Sequence, residues 1–138
     1  MADAQKFDLT VFRRDPMQLT LAATGRDLTG ANPHFVVRSQ PDATGPALLS
    51  LGPVTTIGAE GIRLIEVATD DNDVATSVLE IIATKASIIA LPPPAQQGIP
   101  VVLAYDLQWI TPAEGPGLNA IEKTVLFGTF TVMESVND

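Results

Sequence analysis

The chain contains one histidine, His34, the residue type best suited to acid–base catalysis near neutral pH. A hydrolytic triad would also need a nucleophile and an acidic residue that orients the imidazole. Asp27 and Ser39 are close in sequence, but no motif places a hydroxyl in a sharp turn or supplies an oxyanion site. Because Pro33 precedes it at the start of a predicted strand, we interpret His34 as a surface or rim histidine and predict no catalytic residue.

A second group with possible chemistry is acidic, since Asp70, Asp71 and Asp73 surround Asn72. Calcium takes about six to eight oxygen ligands, and these side chains could supply some of them. The segment lacks the glycine and the distal glutamate of an EF-hand loop, so we favour a solvated turn, with calcium at a subunit contact as the alternative. The chain has no cysteine, phosphate loop or dinucleotide fingerprint. We therefore expect no metal, no cofactor and no enzymatic activity.

The charge of the chain argues against nucleic acid as a partner. The net charge is −8, and residues 70–138 hold nine acidic and two basic residues. Phosphate binding needs a clustered basic patch, whereas the only adjacent basic pair, Arg13-Arg14, is followed by Asp15. No apolar run approaches the roughly 20 residues that span a bilayer, and the N-terminus lacks a signal-peptide pattern. We expect no membrane partner, and synthesis in a reducing cytoplasm.

Alternation of apolar and polar residues indicates an all-β chain. The alternating segments are 7–12, 17–23, 35–38, 62–67 and 78–83, and the short apolar runs are 47–51 and 54–57. Short strands at this spacing predict a sandwich or a barrel. The chain has 138 residues with no repeat and no linker, so we expect a single domain, 1–138.

The longest predicted strands, 101–109 and 124–132, form a closing hairpin around a turn rich in proline and glycine. Tyr105 and Trp109 share a face with three aliphatic residues, which favours a position in the core over a sugar-binding platform. Before this hairpin, residues 84–91 are predicted to form one helical turn. Thr84 is a suitable N-cap, and a proline triplet ends the turn.

Two phenylalanines are predicted to face outward, because Phe12 and Phe127 each point away from the main apolar face of their strands. The alternative is that both faces of these strands are covered within the domain. Only 17% of the residues are charged, against about 25% in an average domain. Obligate contacts are poor in charge, so we expect a subunit of an assembly. A monomer whose serine, threonine and asparagine supply the surface polarity is the alternative.

Three short segments resemble a known family: Asp27-Leu28-Thr29-Gly30, Tyr105-Asp106-Leu107-Gln108 and the strand that ends in Gly128-Thr-Phe-Thr-Val132. Their arrangement resembles the small immunoglobulin-like sandwich domains of tailed-phage virion proteins, notably the N-terminal domain of baseplate upper proteins. The resemblance implies an all-β, immunoglobulin-like antiparallel β-sandwich with one short helical turn. It also implies a virion structural protein of the tail or baseplate, assembled in the host cytoplasm, that contacts other virion proteins and associates with itself. A capsid-decorating or head-associated protein is the alternative, and a host-surface carbohydrate-binding module is a further one.

The chain departs from this family at its first loop. The family usually carries a Gly-Asp pair there, whereas this chain has Arg14-Asp15-Pro16. The loop from Ala113 to Ile121 is also longer than usual. Both departures suggest sites specialised for a partner. The candidate interface residues are Phe12, Arg13, Arg14 and Phe127.

Overall fold

The computed structural model describes residues 5–24, 32–41, 45–96, 98–111 and 121–134. Within these ranges the chain forms short strands and one helical turn. In chain order they are β1 (Gln5–Lys6), β2 (Leu9–Phe12), β3 (Met17–Thr24), β4 (Asn32–Arg38), β5 (Leu49–Leu51), β6 (Gly61–Thr69), β7 (Ala75–Ala83), α1 (Lys85–Ile89), β8 (Val101–Thr111) and β9 (Ile121–Met133). No helix in this described part of the chain is long and apolar enough to cross a membrane.

The strands form two sheets that face each other. The larger sheet has the order β1-β9-β8-β4-β5, with β2 also paired to β9, and the smaller sheet has the order β3-β7-β6. In the immunoglobulin fold, strands B, E and D lie in one sheet and strands C, F and G in the other. Strands β3, β7 and β6 take the first set of positions, and β4, β8 and β9 take the second. The predicted all-β, immunoglobulin-like sandwich with one short helical turn is confirmed.

Two pairings differ from a purely antiparallel sandwich. β1 and β2 run parallel to β9, with Gln5 beside Leu126 and Leu9 beside Phe130. The other named strand pairs of the described residues are antiparallel. The N-terminal strands therefore join the larger sheet, and β3 is left at an edge of the smaller one.

A single cluster of apolar side chains fills the space between the sheets. The Phe35 ring stacks on Tyr105 with ring centroids 5.1 Å apart, and it meets Phe130 edge-on at 6.0 Å. Leu79 and Ile81 contribute from the smaller sheet and are almost fully buried. Tyr105 and Trp109 are both buried, so their predicted place in the core is confirmed.

Two predicted apolar segments differ in the structure. In the alternating segment 7–12, Phe7 falls on the same predicted face as Leu9, but Phe7 is half exposed whereas Leu9 is buried. Phe7 lies between β1 and β2 and belongs to neither strand. The run 54–57 is not a strand, and Ile57 is 80% exposed in the loop before β6. The segment 27–30, which contributes to the resemblance, lies outside the described residues, and so do residues 113–120 of the predicted long loop 113–121.

The helical turn α1 is held by its cap and by a glutamate from the loop before β6. The Thr84 side chain accepts a hydrogen bond from the Ser87 backbone N–H at 3.3 Å, which confirms the predicted N-cap. The Glu60 carboxylate accepts from the Thr84 backbone N–H and from the Ser87 hydroxyl, both at 2.7 Å. These bonds orient α1 so that Ile88 is fully buried.

Candidate interaction surface

Phe12 and Phe127 lie on the same side of the larger sheet. Phe12 is 56% exposed at the end of β2, and Phe127 is 41% exposed in β9. Successive residues of a strand point to opposite sides. Val11, next to Phe12, and Phe130, three positions after Phe127, both belong to the core side. The prediction that both phenylalanines face outward is confirmed. We call the solvent-facing side of β1, β2, β4, β8 and β9 the outer face.

The register of the larger sheet places four outer-face residues in one row. Val36 is opposite Asp106, Asp106 is opposite Phe127, and Phe127 is beside Lys6. Neighbouring strands are about 4.8 Å apart, so Phe127 stands directly between an acidic and a basic residue. This row combines an exposed aromatic ring with charges of both signs. The ring can contribute apolar contact area to an interface, and the two charges can contribute specificity.

A groove of about 810 Å³ lies over this part of the outer face. Its lining includes the Phe127 ring, the aliphatic Val102 and the polar side chains of Arg38, Asp106 and Gln108. The volume lies within the range of about 300–1,000 Å³ that is usual for small-molecule clefts. The groove can therefore receive either a side chain of a neighbouring subunit or a small polar ligand.

One further exposed apolar side chain lies on the outer face between Phe127 and Phe12. Val102, which is 60% exposed, is opposite Thr131, and Phe12 is opposite Met133. Position 133 is six residues beyond Phe127 in β9, a distance of about 20 Å along the strand. The outer face thus offers an elongated strip whose two ends each carry an exposed phenylalanine.

A close backbone crossing holds the N-terminal strands against β9. A Cβ atom at position 128 would lie 2.5 Å from the Phe7 carbonyl oxygen and 2.8 Å from Asp8 Oδ1, so only glycine fits. The Tyr105 hydroxyl donates a hydrogen bond to the Phe7 carbonyl. Asp8 Oδ1 accepts a hydrogen bond from the Thr129 backbone N–H at 3.0 Å. These contacts set the position of Lys6 and β2 on the outer face.

The same contacts perturb two titratable groups. The hydrogen bond from the Thr129 backbone N–H lowers the pKa of Asp8 below its ordinary value of 3.8. Burial raises the pKa of Tyr105 to about 12, and the Asp8 carboxylate adds to that rise. At neutral pH Asp8 is ionised and Tyr105 is a neutral donor, which are the states that the hydrogen bonds need. Both groups therefore stabilise the contact between the N-terminal strands and β9.

Arg13 has an internal role in the domain. Its guanidinium lies 3.0 Å from a Glu134 carboxylate oxygen and donates at 2.7 Å to the carbonyls of Leu91 and Pro92. Carbonyls just after a short helix have no partner within it, so the arginine satisfies groups that would otherwise need water. Arg13 thereby joins the end of β2, the segment after α1 and the end of β9. The contact prediction now rests on Phe12, Phe127 and the exposed Arg14.

The other sequence candidates do not assemble into a site. His34 lies half-buried in β4 opposite Gln108, and within the described ranges no hydrogen bond joins it to a carboxylate or a hydroxyl. Asp70 Oδ1 accepts hydrogen bonds from the backbone N–H groups of Asn72 at 2.8 Å and Val74 at 3.0 Å. The first carboxylate of the acidic loop therefore closes its own turn. Among the described residues, no group of three or more acidic or histidine side chains could hold a metal ion.

Sequence reasoning missed the groove and the internal role of Arg13. The groove residues Arg38, Asp106 and Gln108 occupy polar positions within alternating segments, and that alternation could have assigned them to the outer face. Comparison with known proteins adds no assignment, since no protein-family model and no curated protein matches the chain.

Proposed function

We propose that this protein is a non-enzymatic virion structural subunit that packs against neighbouring subunits in a phage tail or baseplate through its outer face. The observation that carries this proposal is the exposure of Phe12 and Phe127 on the same face of one sheet. The family resemblance of the sequence supports the assignment to a virion. The low content of charged residues supports a surface that is covered by neighbours.

The exposed part of each ring is large enough to matter for association. A phenylalanine side chain can bury about 200 Å², so the exposed fractions of Phe12 and Phe127 correspond to about 110 and 80 Å². At about 25 cal/mol per Å², covering them would contribute about 2 to 3 kcal/mol each. Aromatic residues of this kind are frequent among the few residues that dominate the energy of an interface.

The same surface fits a second position on the particle. A subunit that decorates the capsid or associates with the head would also need a face that adheres to a neighbouring subunit. Electron microscopy of purified phage particles, with this chain traced in the map, tests both positions. We expect density for the sandwich with Phe12 and Phe127 in a subunit contact. Particles without the protein would refute the virion proposal. Particles in which the outer face contacts no neighbouring subunit would refute the assigned surface.

The groove favours one alternative of a different class, a carbohydrate-binding module for a host surface. Sugar sites combine an aromatic face with polar side chains, and Phe127 lies in the groove with Asp106 and Arg38. Binding of the purified protein to immobilised host glycans tests this alternative. Loss of that binding in Phe127→Ala, with Ile57→Ala as the matched control away from the groove, would support the carbohydrate-binding alternative over a purely structural role.

A further inference from the structure

The edge strand β3 lacks the features that usually prevent an edge strand from pairing with another chain. Among the described residues β7 is the only strand paired with it, and its eight residues, Met17 to Thr24, include no charged side chain. The free side of an edge strand carries backbone N–H and C=O groups that can pair with another strand. Natural proteins usually discourage such pairing with charges, bulges or very short strands.

The other outer strands of the described sheets use these devices. At one edge of the larger sheet, β5 is only three residues long, and at the other β1 and β2 have two and four residues. At the opposite edge of the smaller sheet, β6 carries Arg63 and Glu66, with a register shift between Leu64 and Glu66. Among the described edge strands, β3 is therefore the one that combines a length of several residues, a regular register and a lack of charge.

We propose that β3 pairs antiparallel with β3 of a second copy of this chain, which joins the two smaller sheets into one continuous six-stranded sheet. The strand is self-complementary in a two-fold register that places Thr20 opposite its own symmetry mate. Leu19 then faces the mate's Leu21 on the core side. Gln18 faces the mate's Ala22 on the solvent side. Thr–Thr pairs are favourable across antiparallel strands, and this register brings no like charges together.

The side chains of β3 fit this partner. Leu19 and Leu21 are partly buried and pack against the core, so pairing would cover the rest of their apolar surface. In β7, Glu80 is opposite Thr20 and forms an ion pair with Arg63 at 3.3 Å. The charge of this glutamate is therefore balanced within each copy by Arg63.

The inference concerns the isolated protein and does not depend on the proposed virion role, because β3 and the outer face belong to different sheets. The first measurement is sedimentation velocity of the purified wild-type protein over a wide concentration range. We expect a reversible dimer with twice the mass of the 14.6 kDa chain. A protein that stays monomeric at every concentration overturns the proposal and leaves the virion proposal standing.

A matched pair of double variants tests the register. In Gln18→Lys/Ala22→Lys, each new lysine faces a lysine of the second copy, whereas in Gln18→Lys/Ala22→Glu each lysine faces a glutamate. Both positions are exposed, so both variants should fold, which circular dichroism checks. We expect the dimer of the Lys/Lys variant to dissociate at least about tenfold more readily than that of the Lys/Glu variant, with a difference that shrinks at high salt. Equal dimerisation of the two variants would show that the contact lies elsewhere and would overturn the proposal.

Discussion

Replacing Phe12 by threonine removes one end of the exposed strip on the outer face while keeping a residue that suits a strand. The lost contact area is about 110 Å², which corresponds to about 3 kcal/mol, or a contact weaker by more than about 100-fold. The buried remainder of the ring is worth at most about 2 kcal/mol to the domain itself. Domains of this size are usually stable by about 5–15 kcal/mol, so the variant should remain folded.

The assay is incorporation into particles. Phage lacking the wild-type protein is supplied with either Phe12→Thr or the control Ile57→Thr, and the copy number per purified particle is measured by quantitative mass spectrometry. Ile57 is 80% exposed in the loop before β6, so the control removes a large apolar side chain away from the outer face. We expect normal incorporation of the control and strongly reduced incorporation of Phe12→Thr.

Thermal unfolding of both purified variants separates a folding defect from a contact defect. If Phe12→Thr is folded and incorporates at the wild-type copy number, the reasoning from the outer face is wrong for this end of the strip. If it unfolds, Phe12 contributes more to the domain than its exposure indicates. Phe127→Thr at the other end of the strip then becomes the test of the surface.

Three further predictions concern the domain itself. The only tyrosine in the chain, Tyr105, should ionise near pH 12 in an ultraviolet titration, and Asp8→Asn should lower that midpoint; a wild-type midpoint near 10.0 would contradict its burial. Gly128→Ala should destabilise the domain by about 1–3 kcal/mol in denaturant unfolding, because the new methyl group meets the Phe7 carbonyl, whereas the control Gly52→Ala should be nearly neutral. Bonds from Thr84 and Ser87 lower the pKa of Glu60, so the stability that it adds is present above its ordinary value of 4.5 and is lost as the pH falls through the lower folded value. Glu60→Gln should therefore show a smaller loss of stability on acidification below pH 4.5, and an unchanged acid profile would count against this assignment.

The predictions that the structure confirmed depend on residues that are close together in the sequence. The Thr84 cap needs only a bond to Ser87, three residues away, and the burial of Tyr105 and Trp109 follows from alternation within one strand. Arg13 was different, because its partner Glu134 is 121 residues away and no local pattern connects them. The close approach of the Phe7 carbonyl to Gly128 likewise joins residues that are far apart in sequence.

The pairing of the N-terminal strands with the larger sheet affects both proposed contacts. Because β1 and β2 pair with β9, they extend the outer face and place Phe12 and Lys6 beside the strands that carry Phe127. Because β1 and β2 are in the larger sheet, β3 has no partner on its free side among the described strands. Pairing of two β3 strands would use the edge of the smaller sheet and none of the outer-face residues. A dimer formed in this way would keep two outer faces available, so each dimer could contact two further subunits, which suits a protein that builds an extended assembly.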